Sequence, residues 1–286
     1  MSIGPFRPAR GSARGGDGSA QPAGYSRLAG FDFARLTESQ VVERIVAASG
    51  RGEGGWVATP NVDICRLTHR DPALRQVISA ASLIVPDGMP LVWAAKLGGT
   101  PLPERVAGGS LIFSLSEAAA RGGRSIYLLG GAPGVPERAA AELSRRYPGL
   151  VVAGVDAPPV GFDSDPAQVA AVRDRLAAVS PDIVFVGLGC PKQERLIARF
   201  APDFPGTWFL GCGAAIPYAA KVLPRPPRWM RRTGLAWLYR LRNEPRRLYK
   251  RYLIHDLPFA LILLASACAQ RTRRRPSRHG RSRRPR

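Results

Sequence analysis

The sequence predicts an α/β fold: a mainly parallel sheet with helices on both faces, followed by a basic helical C-terminal appendage. Three observations carry this. From Trp56 onward, short apolar runs alternate with helix-like runs, the pattern of strands joined by crossover helices. Pro72, Pro136, Pro166 and Pro191 open helix-like runs, where a first turn tolerates proline. After Lys221 the composition changes: residues 221–286 hold 20 Lys/Arg against Glu244 and Asp256, a net of +18, whereas residues 1–220 carry only +3 of the chain's +21. At 286 residues and 45% hydrophobic, the chain can build a substantial core.

Taken in order, residues 1–26 are rich in Gly, Pro, Ser and Arg, with no apolar run of the secretory kind, and are expected to form a disordered tail. The main domain is expected over 27–220. Leu28, Phe31 and Phe33 suggest a short strand. Thr37 and Gln40 have capping-box spacing and start a helix that turns Val41, Val42, Ile45 and Val46 inward. Strands are predicted at Trp56–Ala58, Leu83–Val85, Ser125–Leu129, Leu150–Val155, Ile183–Gly187 and Thr207–Leu210. Helices are predicted at Val62–His69, Pro72–Ala80, Leu91–Lys96, Gly109–Arg121, Pro136–Tyr147, Pro166–Val179 and Pro191–Phe200.

The appendage is expected over 221–270. A stiff basic linker, Leu223–Trp229, leads into amphipathic helices at Trp229–Arg242 and, beyond Pro245, Arg246–Ile254. The apolar run Leu257–Ala269 is interrupted by Pro258 and falls short of the ~20 residues that span a bilayer, so it is expected to lie on a membrane surface without crossing. Residues 271–286 read as an unstructured polycationic tail. Cys65, Cys190, Cys212 and Cys268 have neither metal-ligand nor disulfide spacing, which points to reduced thiols. His69, His255 and His279 form no ligand cluster, and Asp163-Ser164-Asp165 reads as a turn and helix cap.

Candidate chemistry gathers at strand-to-helix junctions, where ligands of open α/β sheets sit. Thr59 and Asn61 follow one strand and Asp87 follows the next, so they are expected across one crevice. Asp87 suits either a helix N-cap or a general base that takes a proton from an attacking hydroxyl. Thr59 and Asn61 suit helix starts or sugar and base contacts. Gly130 and Gly131 would let backbone approach a phosphate. Asp156, ending the next strand, could bind a ribose or cap a turn. Gly189, Lys192 and Gln193 suit a nucleotide site, or two solvated polar residues beside a glycine. Arg105 suits a diphosphate or a surface pair with Glu104. On a continuous helix Arg240, Arg247 and Arg251 would fall within about 20° of one face, suiting a diphosphate at a membrane surface, or simply a solvated basic face.

Read together, Thr59-Pro-Asn61, Pro86-Asp-Gly-Met-Pro90, Pro103-Glu-Arg-Val106, Leu128-Leu-Gly-Gly131, Gly187-Leu-Gly189 with Pro191-Lys-Gln-Glu194, Gly211-Cys-Gly213, and Pro227-Arg-Trp-Met230 through Trp237-Leu-Tyr-Arg240 to Glu244-Pro-Arg-Arg247 resemble, in order, the WecG/TagA/CpsF family of bacterial glycosyltransferases. The resemblance implies a Rossmann-like transferase fold and an inverting transfer from a UDP-sugar to a saccharide on a polyprenyl diphosphate. It places that reaction in cell-surface polysaccharide or teichoic-acid-type biosynthesis, at the cytoplasmic face of the cell membrane, with no metal or other cofactor. It implies Asp87 as base with Thr59 beside it, and a donor site drawing on Asn61, Gly130, Gly131, Gly189, Lys192 and Gln193. Arg105, Arg240 and Arg247, with Arg251 on the same face, would meet the acceptor diphosphate. The appendage would bind the membrane, and self-association is compatible with the family. Two stretches depart from its pattern: Ala107-Gly-Gly109 where Thr-Gly-Ser or a close variant is usual, and Ala214-Ala-Ile-Pro-Tyr218 where an aromatic with Asp or Ser is frequent.

Two other classes are compatible with parts of the chain. The Gly130 loop with Asp156 suits an NAD-dependent oxidoreductase. The basic C-terminus suits nucleic acid, although its charge lies in an appendage and tail without a recognised nucleic-acid module.

Overall fold

The structure, a computed structural model, describes residues 24–274. Strands β1 (Tyr25–Leu28) and β2 (Phe31–Ala34) form a separate antiparallel hairpin. The main sheet contains β3 (Gly55–Ala58), β4 (Leu83–Ile84), β5 (Ser125–Leu129), β6 (Val151–Asp156), β7 (Ile183–Val186) and β8 (Trp208–Gly211). It is wholly parallel, in the order β4-β3-β8-β7-β5-β6. Alternate side chains divide between two cores. Trp56, Tyr127, Val184 and Phe209 face one, while Val57, Leu128, Phe185 and Leu210 face the other. Both faces are covered, which is why these strands read as continuous apolar runs.

The helices of the body are α1 (Glu38–Ser49), α2 (Val62–Arg70), α3 (Pro72–Ser79), α4 (Met89–Leu97), α5 (Gly108–Gly122), α6 (Val135–Arg146), α7 (Pro166–Val179), α8 (Lys192–Phe200) and α9 (Ala215–Ala219). The strands and helices predicted from Trp56 to Leu210 are all present, with ends moved by one or two residues, while the short strand expected from Leu28, Phe31 and Phe33 is the two-stranded hairpin β1–β2. The capping box of α1 is complete: the Gln40 N–H donates to Thr37 Oγ1 (3.3 Å) and the Thr37 N–H to Gln40 Oε1 (2.9 Å). Asp165 caps α7 as expected. Pro191 stands at the N-cap of α8 rather than inside its first turn.

Four expectations need correction. The predicted tail over 1–26 overlaps β1, which takes Tyr25 and Ser26; residues 1–23 lie outside the described residues. The helix predicted over Trp229–Arg242 is two, α10 (Arg228–Thr233) and α11 (Ala236–Asn243). They part at Gly234, whose φ of 82° and close approach to Met89, where a Cβ would lie 2.9 Å from Met89 Cβ, exclude other residues. After α12 (Pro245–Tyr249), a π-helical stretch, Lys250–Asp256, runs without a break into α13 (Leu257–Arg274). The result is a continuous helix, Pro245–Ala269, long and apolar enough by length and composition to cross a membrane, contrary to the expectation that Pro258 breaks it. Finally, Arg271 and Thr272 belong to α13, while residues 275–286 of the predicted tail lie outside the described residues.

Here α13 lies along the body. Ala260, Leu263 and Ala267 are buried, the last two in the core that also holds Leu91, Ala94 and Ala95 of α4. Its other face leaves Leu257, Leu261 and Ile262 exposed.

Candidate active site

A cleft of about 420 Å³ opens at the carboxyl ends of β4, β3, β8 and β7, four neighbours in the sheet. Backbone bonds knit its floor. The Asp87 N–H donates to Pro60 O (3.0 Å), joining the loops after β3 and β4, and the Val106 N–H donates to Pro86 O (2.9 Å), bringing in the loop that carries Arg105. Thr59 Oγ1 donates to Gly211 O (3.2 Å), tying β3 to β8.

Asp87 does not cap α4. Gly88 holds the N-cap position without a side-chain bond, and the Asp87 carboxylate turns into the cleft, 3.4 Å from Arg105 Nη1. A quarter of its side chain (26%) meets solvent. Burial raises its pKa above the ordinary carboxylate value; Arg105 and Arg240 oppose that rise and Glu38 adds to it. Asn61 does cap its helix, accepting from the Ile64 N–H (3.0 Å), while its side chain still lines the cleft.

The appendage supplies the opposite wall. Arg240 on α11 lies between Tyr218 and Tyr252. Burial works against its charge, but those two tyrosines, Glu244 and Asp87 hold its pKa up, and its Nε is buried with no hydrogen-bond partner among the described residues. Arg247 lines the same cleft and pairs with Glu244. The three arginines expected on one face thus reach one cleft although the helix breaks before Pro245. Arg251, however, is committed: its Nη2 is 2.8 Å from Asp63 Oδ2. With Arg66 and Asp256 it forms a four-member ionic cluster joining α2 to the π-helical stretch, where burial and Asp63 raise Asp256 to about 6.

The other expected donor-site residues divide: Gln193 and Gly189 line the cleft, and Lys192, Gly130 and Gly131 do not. Gln193 is buried, and its amide is spent on structure: Oε1 accepts from the Gly189 and Gly213 N–H groups (both 3.1 Å), and Nε2 donates to Glu194 (2.9 Å). It sets the two glycine loops after β7 and β8 while lining the cleft. Lys192 is not among the residues lining the cleft and pairs with Asp163 (3.0 Å). Gly130 and Gly131 follow β5, outside the four strands that form the cleft. Gly130 instead allows close packing, since a Cβ there would meet Gly187 backbone at 2.9 Å. Gly189 does line the cleft. Asp156, at the edge strand β6, is held by Arg175 (2.7 Å) and does not line this cleft.

Sequence reasoning missed Tyr218 and Tyr252 as neighbours of Arg240, and Asp63 as an anchor for the appendage. Asp63 carried a faint signal, an acid in the first turn of α2, where it passes for a helix-dipole partner. Beside the polar cleft, an apolar recess of about 200 Å³ lies between the start of α4 and the appendage, lined by Met89, Pro90, Trp237, Leu253, Leu257 and Ala260.

Comparison with known proteins agrees with this arrangement. A family model described as glycosyl transferase WecG/TagA/CpsF family matches residues 26–274. A Bacillus spizizenii protein named N-acetylglucosaminyldiphosphoundecaprenol N-acetyl-beta-D-mannosaminyltransferase is 33% identical over 197 residues, 69% of this chain and 74% of that one. Proteins of the same name from Bacillus subtilis and Staphylococcus aureus are 32% and 28% identical over 74% and 84% of this chain, and 79% and 92% of their own lengths.

Proposed function

The chain belongs to the WecG/TagA/CpsF family of glycosyl transferases, and from that premise we propose that it moves an N-acetylhexosamine-type sugar from a UDP-sugar to a saccharide carried on a polyprenyl diphosphate, with Asp87 as general base. The observation that carries this reading is the Asp87 carboxylate in a cleft shared with Arg105, Arg240 and Arg247. The names of the relatives supply the acceptor chemistry, a sugar on a diphosphate-linked polyprenol.

An acceptor hydroxyl is a weak nucleophile at neutral pH. As it attacks the anomeric carbon from the face opposite the UDP, Asp87 takes its proton, and one displacement inverts that centre. Negative charge grows on the departing diphosphate. In this reading the guanidinium groups of the cleft stabilise it, and no metal or other cofactor takes part. Arg240, buried with an unpartnered Nε, suits the acceptor diphosphate by charge and by donor geometry. Arg251 acts one step back, holding the appendage in place through Asp63.

The same reading places the enzyme on the cytoplasmic face of the cell membrane. Trp229, Leu238, Ile254, Leu257, Leu261 and Ile262 are exposed apolar side chains of the appendage, interspersed with arginines, a composition that favours an anionic lipid surface. In this reading the continuous helix Pro245–Ala269 rests on that surface and keeps its buried face against α4.

Thermal unfolding with UDP, and with NAD in parallel, is the first test. A ligand at ~100 times its dissociation constant stabilises by about 2.7 kcal/mol. A rise in Tm with UDP and none with NAD is expected. Transfer from a UDP-N-acetylhexosamine to a prenyl-diphosphate saccharide should then fall by about 10²–10⁴ in Asp87→Asn, with the UDP shift retained. A shift with NAD alone would overturn the proposal.

A further inference from the structure

A cavity of about 640 Å³ adjoins the cleft, sharing Arg105, Arg225 and Arg231 with it, between α5, the end of α6 and the linker before α10. We propose that it is a binding site for a phosphate group, with Arg225 as its central cation. The proposal does not depend on the transferase reading.

Arg225 Cζ lies 4.2 Å from the centre of the Phe113 ring, and Arg146 Cζ lies 5.3 Å from the same ring. Two guanidiniums on one aromatic ring are therefore within about 10 Å of each other, and Arg231 lines the cavity beside them. Neither Arg225 nor Arg146 has a carboxylate within ion-pair distance among the described residues. Glu38, Glu104 and Glu117 share the cavity, and Glu104 Oε1 accepts from the Glu38 N–H (2.6 Å). Both oxygens of Glu38 are already taken, by Ser110 Oγ (2.5 Å) and Ser114 Oγ (2.8 Å), and Glu117 pairs with Arg121 (3.1 Å).

The arrangement is built, not incidental. Lys221 is anchored to Glu142 on α6 (2.6 Å), and Pro224, Pro226 and Pro227 stiffen the segment that carries Arg225. The chain thus holds Arg225 half-buried against like charges. Burial together with Arg231 and Arg146 pushes its pKa down to about 10, with Glu38 opposing that fall. Guanidinium forks match phosphate oxygens in shape as well as charge. The phosphate has two possible sources, a soluble ligand or an anionic lipid headgroup, and exposed Arg228 and Trp229 flank the site on the appendage side.

Phenylglyoxal modification of arginines in the full chain, mapped by peptide mass spectrometry, tests this. One arm compares inorganic phosphate with chloride at matched ionic strength. The other compares neutral phosphatidylcholine vesicles with vesicles that also contain an anionic phospholipid. Phosphate, anionic vesicles or both are expected to slow modification of Arg225 and Arg146 several-fold, with Arg51, an exposed arginine paired to Glu53, unchanged. Protection by anionic vesicles alone would assign the phosphate to a lipid headgroup. Arg225→Gln should remove the protection of Arg146, and Arg146→Gln, at an exposed position, should weaken that of Arg225. The proposal is overturned by no protection in either arm, by equal protection of Arg51, by neutral vesicles protecting as well as anionic ones, or by unchanged protection of Arg146 in Arg225→Gln.

Discussion

At the scale of single residues, Asp87 sits between opposing influences: burial and Glu38 push its pKa up, Arg105 and Arg240 pull it down. A base works deprotonated, so activity should fall as pH drops through that pKa, which lies above the ordinary carboxylate value. Replacing Arg105 by Met removes a cation and should move the acidic limb of kcat/KM to higher pH. Glu38→Gln removes an anion and should move it lower. Profiles that do not separate in those directions would disconnect Asp87 from the limb. The sequence made this part of the site legible because Thr59, Asn61 and Asp87 each closely follow a strand, while Arg105 precedes α5 on the loop that the Val106 N–H ties to Pro86. Gln193 was not legible in the same way. Its partners are the backbone N–H groups of Gly189 and Gly213, and which backbone groups are left unpaired is settled only once β7 and β8 lie side by side.

At the scale of elements, the appendage is held by the cluster of Asp63, Arg66, Arg251 and Asp256. Asp256 has a folded pKa of about 6, above its unfolded value of ~3.9. The raised pKa means the folded state holds this proton more tightly. Docking is therefore strongest below the unfolded pKa and weakens as pH rises toward 6, with the full cost of the second buried negative charge present above that. Acidifying from pH 7 to 5 should slow proteolytic cleavage within Lys250–Arg274, and Asp256→Asn should show slow cleavage at both pH values. Faster cleavage of the variant at pH 7 would mean that the charge of Asp256 stabilises the joint. The helical character of this region was visible in its apolar spacing, but its continuity was not. Pro258 has no N–H to give, and at its approach the ladder changes register: the Leu257 N–H reaches Tyr252 O, five residues back. A proline at such a junction costs less than the helix-breaking rule supposes. Gly234 misled in the opposite sense. A lone glycine in a basic amphipathic run reads as tolerated, while here its positive φ ends α10 and the space that a Cβ would need is filled by Met89, far away in sequence.

At the scale of the whole molecule, the sheet order explains which motifs could share a site. β5 and β6 lie at one side, so the glycine loop after the first and the acid ending the second stand beside the cleft and do not line it. Strand order is written in long-range pairing, which local pattern does not encode. The same geometry divides labour between a floor from the body and a wall from the appendage. A chain ending at residue 221 should keep the UDP-dependent rise in Tm, because the loops after β3, β7 and β8 remain. It should lose most transfer, because Arg240 and Arg247 are gone; full transfer would refute the assignment of that wall. The exposed apolar side chains of that wall have a kinetic consequence. Under the proposed membrane docking through Leu257, Leu261 and Ile262, the enzyme would meet its lipid-borne substrate by lateral diffusion. Its encounter rate then follows molecules per unit area, not per unit volume. Adding neutral lipid at fixed enzyme and fixed acceptor should slow the reaction by surface dilution, whereas diluting the whole suspension with acceptor density unchanged should leave the turnover of each bound enzyme nearly the same.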